Sequence, residues 1–231
     1  MGDGQVAVDV DAARLQERLP PLLSIIAGMV DLSGFVMLGQ IFTAHITGNL
    51  VLVVADSIDG GSFNPVPVLS LPVFMAALAL VWLLARWLNL MGRRLAHILL
   101  MLQLVLLAMV LAISVAADTR AHPDGAAAGL AAMIAVSAMA CQYALFRLAI
   151  PSAISTAVMT GNLTNTVLAL MDLLSPDRPL LTVDQGRLRH ALMLLIGFVT
   201  GCAAAAIGIV WLGNWAWALP TALAALVLLV R

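Results

Sequence analysis

The sequence predicts an all-α integral membrane protein: six full transmembrane helices plus two re-entrant strand/half-helix elements, arranged as two inverted-topology 3+3 repeats. Three observations lead there. Hydrophobic residues make up 63% of the chain and charged residues 10%, with a mean hydropathy of +1.07, a balance the water-facing surface of a soluble domain cannot carry. The tripeptide Thr47-Gly48-Asn49 returns as Thr160-Gly161-Asn162, each followed by Leu and each inside a long apolar stretch, which suggests a duplicated unit. The arginines, finally, sort onto one side only if neither stretch crosses the bilayer twice.

Taken in order, residues 1–19 carry Asp3, Asp9, Asp11, Arg14, Glu17 and Arg18 without an apolar segment, so they read as a cytoplasmic N-terminal arm, either solvated or a short interfacial helix, and not as a secretory signal. Residues 20–117 form the first repeat and 118–231 the second, together one membrane domain. Four runs have the roughly 20-residue length of an ordinary crossing: 68–88, 96–117, 190–212 and, somewhat short, 215–230. Regions 22–58 and 126–174 are too long for one crossing and carry Thr-Gly-Asn after their first 20 or so residues.

Cytoplasmic loops are enriched in Lys and Arg, and this chain has no lysine. Two full hairpins would leave Arg86, Arg93, Arg94 and Arg147 outside. Two re-entrant elements leave only Arg120 there, so the re-entrant arrangement is preferred. Each repeat then crosses three times, and the second copy is inserted upside down, as in many secondary transporters. The expected location is the bacterial inner (plasma) membrane, multi-pass, with both termini cytoplasmic.

Within each element the residues before the glycine, 41–46 and 154–159, are rich in β-branched types and suit an extended strand. Those after it suit a half-helix, with Thr47 or Asn49 and Thr160 or Asn162 as N-caps. About ten helical residues cover ~15 Å, half a bilayer. Two such helices entering from opposite sides would meet near the midplane with their N-termini facing each other, offering unpaired N–H groups to an anion or a carbonyl oxygen. The alternative is that Thr-Gly-Asn merely satisfies a kink.

Thr47, Gly48, Asn49, Thr160, Gly161, Asn162, Gln142 and His45 are therefore the candidate substrate-binding residues. Asp31, acidic and mid-helix, shares its face with the small residues Ser24, Ala27, Gly28 and Gly34; an intramembrane carboxylate is a functional-site hypothesis by default. It is the candidate proton-coupling group, the alternative being a structural bond to the re-entrant backbone. Its counterpart in the second repeat falls near Gln142, so the carboxylate has no acidic twin. Arg147, near the cytoplasmic end of its helix, is read as snorkelling to the interface or pairing with lipid phosphate, in preference to binding substrate. Gly197 and Gly201 give one helix a groove for close packing, within the monomer or as a homo-oligomer face. Trp87, Trp211, Trp215 and Trp217 fit interfacial belts. Cys141 and Cys202 read as small packing residues.

The functional expectation is a secondary transporter or exchanger of a small anion or polar metabolite. Neither cofactor nor metal is expected, and nucleic acid is excluded as a partner by a net charge of −1 without a basic cluster. A small ion or solute channel is the alternative. An intramembrane enzyme is less favoured, because the chain lacks His-Glu-x-x-His, Gly-x-Ser-x-Gly and clustered metal ligands.

The segments Gly28-Met29-Val30-Asp31, His45-Ile46-Thr47-Gly48-Asn49, Cys141-Gln142-Tyr143-Ala144, and Thr156 with Thr160-Gly161-Asn162-Leu163 resemble the bacterial YoaK-type membrane proteins of the DUF1275 family over nearly the whole chain. Departures are Ala140 or Cys141 in place of a usual Gly, Tyr143 in place of Asn, and Leu32 in place of Ala. The resemblance implies the membrane class and supplies no substrate. A strand and half-helix pair is also similar to the core of nucleobase and sulfate transporters, a fold-level analogy in a chain too short for that whole fold.

Overall fold

The computed structural model describes residues 3–58, 64–150, 159–174 and 185–229. These form α1 (Asp3–Met37), α2 (Ile46–Ile58), α3 (Pro65–Trp87), α4 (Gly92–Ala117), α5 (Ala126–Ala144) with a π turn (Leu145–Ala149), α6 (Met159–Leu174), α7 (Gln185–Leu212), a 3-10 turn (Gly213–Trp217) and α8 (Ala218–Leu229). Five helical stretches among the described residues are long and apolar enough to cross a membrane. The last of them, Leu188–Leu229, runs 42 residues, or ~63 Å as one rod, about twice a hydrocarbon core. It is no rod: Gly213 has φ +59°, the 3-10 turn follows, and Leu219 folds back onto Gly208. The predicted final crossing at 215–230 is thus seen as that turn plus the 12 residues of α8.

The N-terminal arm is continuous with α1, which runs through Pro20 and Pro21. α1 and α5 are the most buried of the long helices, and they are antiparallel. Gln142 near the end of α5 donates to the Leu23 carbonyl near the start of the membrane part of α1, while Gly39 just after α1 lies against Pro123 and Asp124 just before α5. Against these two central helices lie parallel partners. Gly197 faces Pro21 and Ser24, and Gly201 faces Ile25, so α7 runs alongside α1 in the same direction. Gly129 faces Val66 and Tyr143 meets Phe74 edge-on, so α3 runs parallel to α5.

Contact without side chains explains the α1–α7 pairing. A Cβ on Gly201 would stand 2.1 Å from the Ile25 carbonyl oxygen, and one on Gly28 would stand 2.2 Å from that of Phe198. The small-residue groove read as a packing face is filled by α1 of the same chain, which leaves it no room as an oligomer face. Gly201→Leu should therefore push the two backbones apart, at a cost on the order of 2 kcal/mol. A clear fall in melting temperature in detergent checks this; an unchanged melt contradicts it.

One end of the bundle is tied by polar contacts among loops. Asn64 accepts from Val66 N–H to cap α3 and donates to the Gly39 carbonyl. Asn214 donates to Asp118 at 2.5 Å and accepts from the Arg120 N–H, whose guanidinium in turn holds the Ile209 carbonyl at 2.7 Å. The ends of α1, α4 and α7 and the starts of α3 and α5 therefore share this face. Trp87, Trp211 and Trp215 are exposed, as expected of interfacial belts, but Trp217 is fully buried. The 3-10 turn directs it inward instead.

Candidate functional site

The site begins where α1 stops. Gly39 (φ +81°) and Gln40 (φ +57°) adopt left-handed backbone that ends a helix and reverses the chain. Residues 41–45 then run back along α1, made possible by Gly34, where a Cβ would stand 2.9 Å from Thr43 Cγ2. Phe42 stacks on Phe35 at 5.1 Å between ring centroids. Residues 41–45 are irregular, and no strand occurs among the described residues. The predicted strand fails for a physical reason: its amides pair with side chains, not with a second strand.

Two side chains do this. Asn49 accepts from Phe42 N–H and donates to Phe42 C=O, both at 2.8 Å, reproducing the two-bond exchange of paired antiparallel residues. Its amide also donates to Ser70 Oγ at 2.8 Å, and the side chain is fully buried. Asp31 Oδ1 accepts from Thr43 N–H at 2.7 Å, Ala44 N–H at 2.6 Å and Thr43 Oγ1 at 3.1 Å. Its second oxygen meets His45 Nδ1 at 2.5 Å. Desolvating a carboxylate is tolerable here because four contacts meet it, three on Oδ1 and one on Oδ2. Tyr143 on α5 donates its hydroxyl to Ala44 C=O. The returning segment is thus bound from three helices.

α2 starts at Ile46, with His45 in the cap position and a Gly48 N–H bond to His45 C=O at 2.8 Å. Thr47, Gly48 and Asn49 lie inside the first turn and are not its cap. The described part of α6 runs Met159–Leu174 and contains Thr160, Gly161 and Asn162. The strand predicted before them, at 154–159, falls mainly outside the described residues.

A cavity of about 540 Å³ lies against the tip, within the size range of ligand pockets. The returning chain contributes Ala44, His45, Ile46 and Thr47; α3 contributes Phe74, Leu78, Ala79 and Trp82; and the end of α5 with its π turn contributes Tyr143, Ala144, Arg147 and Leu148. Of the candidate residues read from sequence, Thr47 and His45 line this cavity. Gly48, Asn49 and Asp31 stand behind them. Gln142 is buried one residue away from the wall, linking Gln103 on α4 to α1. Thr160, Gly161 and Asn162 are absent from the lining, and Asn162 is buried.

Tyr143, Trp82 and Arg147 were not recognised from sequence as lining residues. A signal for two of them existed: Tyr143 and Arg147 are four apart at the end of an apolar helix, hence on one face. The π turn, closed by the Ile150 N–H bond to Leu145 C=O, is a helix irregularity that often accompanies functional sites. Among the described residues no cluster of His, Cys, Asp or Glu has the form of a metal site.

The model of the family described as "Protein of unknown function (DUF1275)" matches residues 19–230. No curated protein and no solved structure matches the chain.

Proposed function

The chain belongs to the DUF1275 family, and we infer that it is a secondary transporter of a small organic or inorganic anion, or another polar metabolite, bound in the cavity at the tip of the α1–α2 hairpin. The observation that carries this reading is the antiparallel placement of α1 and α5. When the two Thr-Gly-Asn segments are superposed in register, α1 corresponds to α5, α2 to α6, α3 to α7 and α4 to α8. Under that exchange the contacts α1–α7 and α5–α3 are one pair, as are α2–α3 and α6–α7, and α4–α5 and α8–α1. First helices running in opposite directions are what an inverted repeat requires.

The hairpin supports a re-entrant reading. Asp31, which holds residues 43 and 44, lies six residues before Met37, about 9 Å inside the loop-bearing face. Ser70, which holds Asn49, lies five residues past the start of α3, about 8 Å from it. Thirteen residues of α2 span only ~20 Å, too little to cross ~30 Å of hydrocarbon. Ile58 must also reach Pro65, back at the loop-bearing face, through a chain of at most ~25 Å. Six crossings follow when α8 is counted with its 3-10 turn, and the shared loop face then carries the single cation Arg120 among its connections, in keeping with an external location.

In this account His45 is the link between cavity and carboxylate. It lines the cavity, stacks edge-on to Phe198 at 5.2 Å and holds Asp31 Oδ2 through Nδ1. A proton reaching the imidazole from the cavity is shared with Asp31 without exposing that carboxylate to lipid. The backbone amides of residues 43 and 44 report its charge to the hairpin, because they bond best to the ionised form. Proton coupling is tested in proteoliposomes loaded with a pH dye and challenged with a panel of small carboxylates, inorganic anions and neutral polar solutes. A saturable, solute-driven proton flux that Asp31→Asn abolishes is expected. Currents far above a carrier's turnover, or a flux untouched in that variant, would refute the coupled carrier.

A further inference from the structure

We propose that the cavity selects a monoanionic carboxylate carrying an apolar, preferably aromatic, body, with Arg147 as the residue that recognises the carboxylate; this rests on the binding cavity named above and specifies its ligand. The walls make the first half of the case. Phe74, Leu78, Trp82 and Leu148 line most of the space, and an inorganic anion would be stripped of water there with nothing but hydrocarbon on most sides. Aromatic rings stack favourably on flat apolar bodies. A cavity of this size has room for such a body, whereas a bare sulfate or chloride would leave it largely empty.

Charge makes the second half. Arg147 is exposed at the cavity and, among the described lining residues, is the one with a permanent charge; none of the described lining residues is a carboxylate. Its guanidinium fork matches a carboxylate through two parallel bonds. The Arg86 guanidinium stands 5.5 Å from the Trp82 ring, adding positive potential beside the same wall. Elsewhere in the lining, His45 and Thr47 offer a donor or acceptor to a second polar group. A ligand with one acid at the Arg147 end and an apolar middle satisfies all three features. The π turn at Leu145–Ala149 places Arg147 beside the cavity together with Tyr143, whose own hydroxyl is committed to Ala44.

The test uses the full chain in phosphatidylcholine nanodiscs, followed by thermal unfolding and equilibrium binding with benzoate, benzamide and sulfate at neutral pH. Benzoate should bind saturably and raise the unfolding temperature, while benzamide and sulfate at equal concentration should not. Arg147→Gln should unfold at the wild-type temperature without ligand, since no protein partner is found for Arg147 among the described residues, yet bind benzoate on the order of a hundredfold more weakly. Arg147→Lys should lose less. Equal protection by sulfate would overturn the apolar-body requirement, and equal protection by benzamide, or unchanged benzoate binding in Arg147→Gln, would overturn the carboxylate assignment. Competitive loss of benzoate binding on adding phosphatidylglycerol would overturn it too, by identifying the anion as a lipid headgroup. Should Arg147→Gln unfold early, Arg147→Lys with benzoate against benzamide carries the test. Benzoate binding without solute-driven proton flux would uphold this assignment and refute the coupled carrier, whereas proton flux driven by sulfate alone would do the reverse.

Discussion

Asp31→Ala is expected to destabilise the protein by on the order of 3 kcal/mol, because it leaves two buried backbone N–H groups, a hydroxyl and an imidazole without their acceptor. Amides of Thr43 and Ala44 both end on Oδ1 of this carboxylate, and neither has water at hand in a hairpin buried among helices. The loss should appear as a lowered melting temperature and as rapid hydrogen exchange confined at first to residues 41–46. Asp31→Asn is the informative contrast. Its carbonyl oxygen can still accept both amides, so most of the stability should survive, while the negative charge that answers His45 is gone. Stability near wild type with abolished proton flux is the expected pairing; two variants equally unstable would mean that the charge itself holds the hairpin.

Asn49→Leu should come second in size, costing about 2–3 kcal/mol through three lost bonds at a fully buried position. The geometry makes a sharper statement about order. Asn49 both donates to and accepts from Phe42, so Asn49→Asp, which sets a carboxylate against the Phe42 carbonyl, should be at least as damaging as Leu. Ser70→Ala should cost only about 1 kcal/mol, since Ser70 supplies one of the three partners and its own hydroxyl is anchored to the Pro67 carbonyl at 2.6 Å. Chemical unfolding of the three variants in one detergent gives that ranking. Ser70→Ala matching Asn49→Leu would show that the mimicry of a strand partner contributes little.

Much of this was legible in the residue pattern. A polar Thr-Gly-Asn inside apolar sequence, repeated once, pointed to helix starts, and the first copy does lie in the first turn of α2, while the second lies within the described part of α6. Asp31 was legible as special because nothing else in the apolar part of its helix, Leu19–Met37, is acidic. Its alternative reading, a bond to the returning backbone, describes the observed contacts, and the second carboxylate oxygen meets His45, so the proposed coupling would run through the same side chain that holds the hairpin. Helix propensity could not tell that residue 45, and not 47 or 49, would sit at the cap, because the choice depends on where the extended segment is released by Asp31. Nor could β-branched content distinguish a strand from an extended segment paired to side chains, since both favour the same residue types.

Other features were hidden for reasons of three-dimensional placement. Arg147 read as an interfacial cation by its place near a helix end, and its sharing of a cavity with Trp82 and His45 depends on contacts between helices that the residue pattern does not show. Trp217 looked interfacial by type, yet the turn at Gly213 reverses the chain and buries it. The small-residue groove of α7 was visible, but its occupant was not, because Pro21, Ser24 and Ile25 lie far away in sequence.

The carrier reading depends on α2 leaving the bilayer on the side from which residues 38–45 came. With Cys141 and Cys202 replaced by Ala, single cysteines at Gln40, Ile58 and Met91, all exposed positions, can be labelled in oriented membranes with a maleimide that does not cross lipid. Gln40 and Ile58 should react from one side and Met91 from the other. Reaction of Ile58 together with Met91, and not with Gln40, would make α2 a crossing helix and remove both the re-entrant hairpin and the inverted repeat built on it.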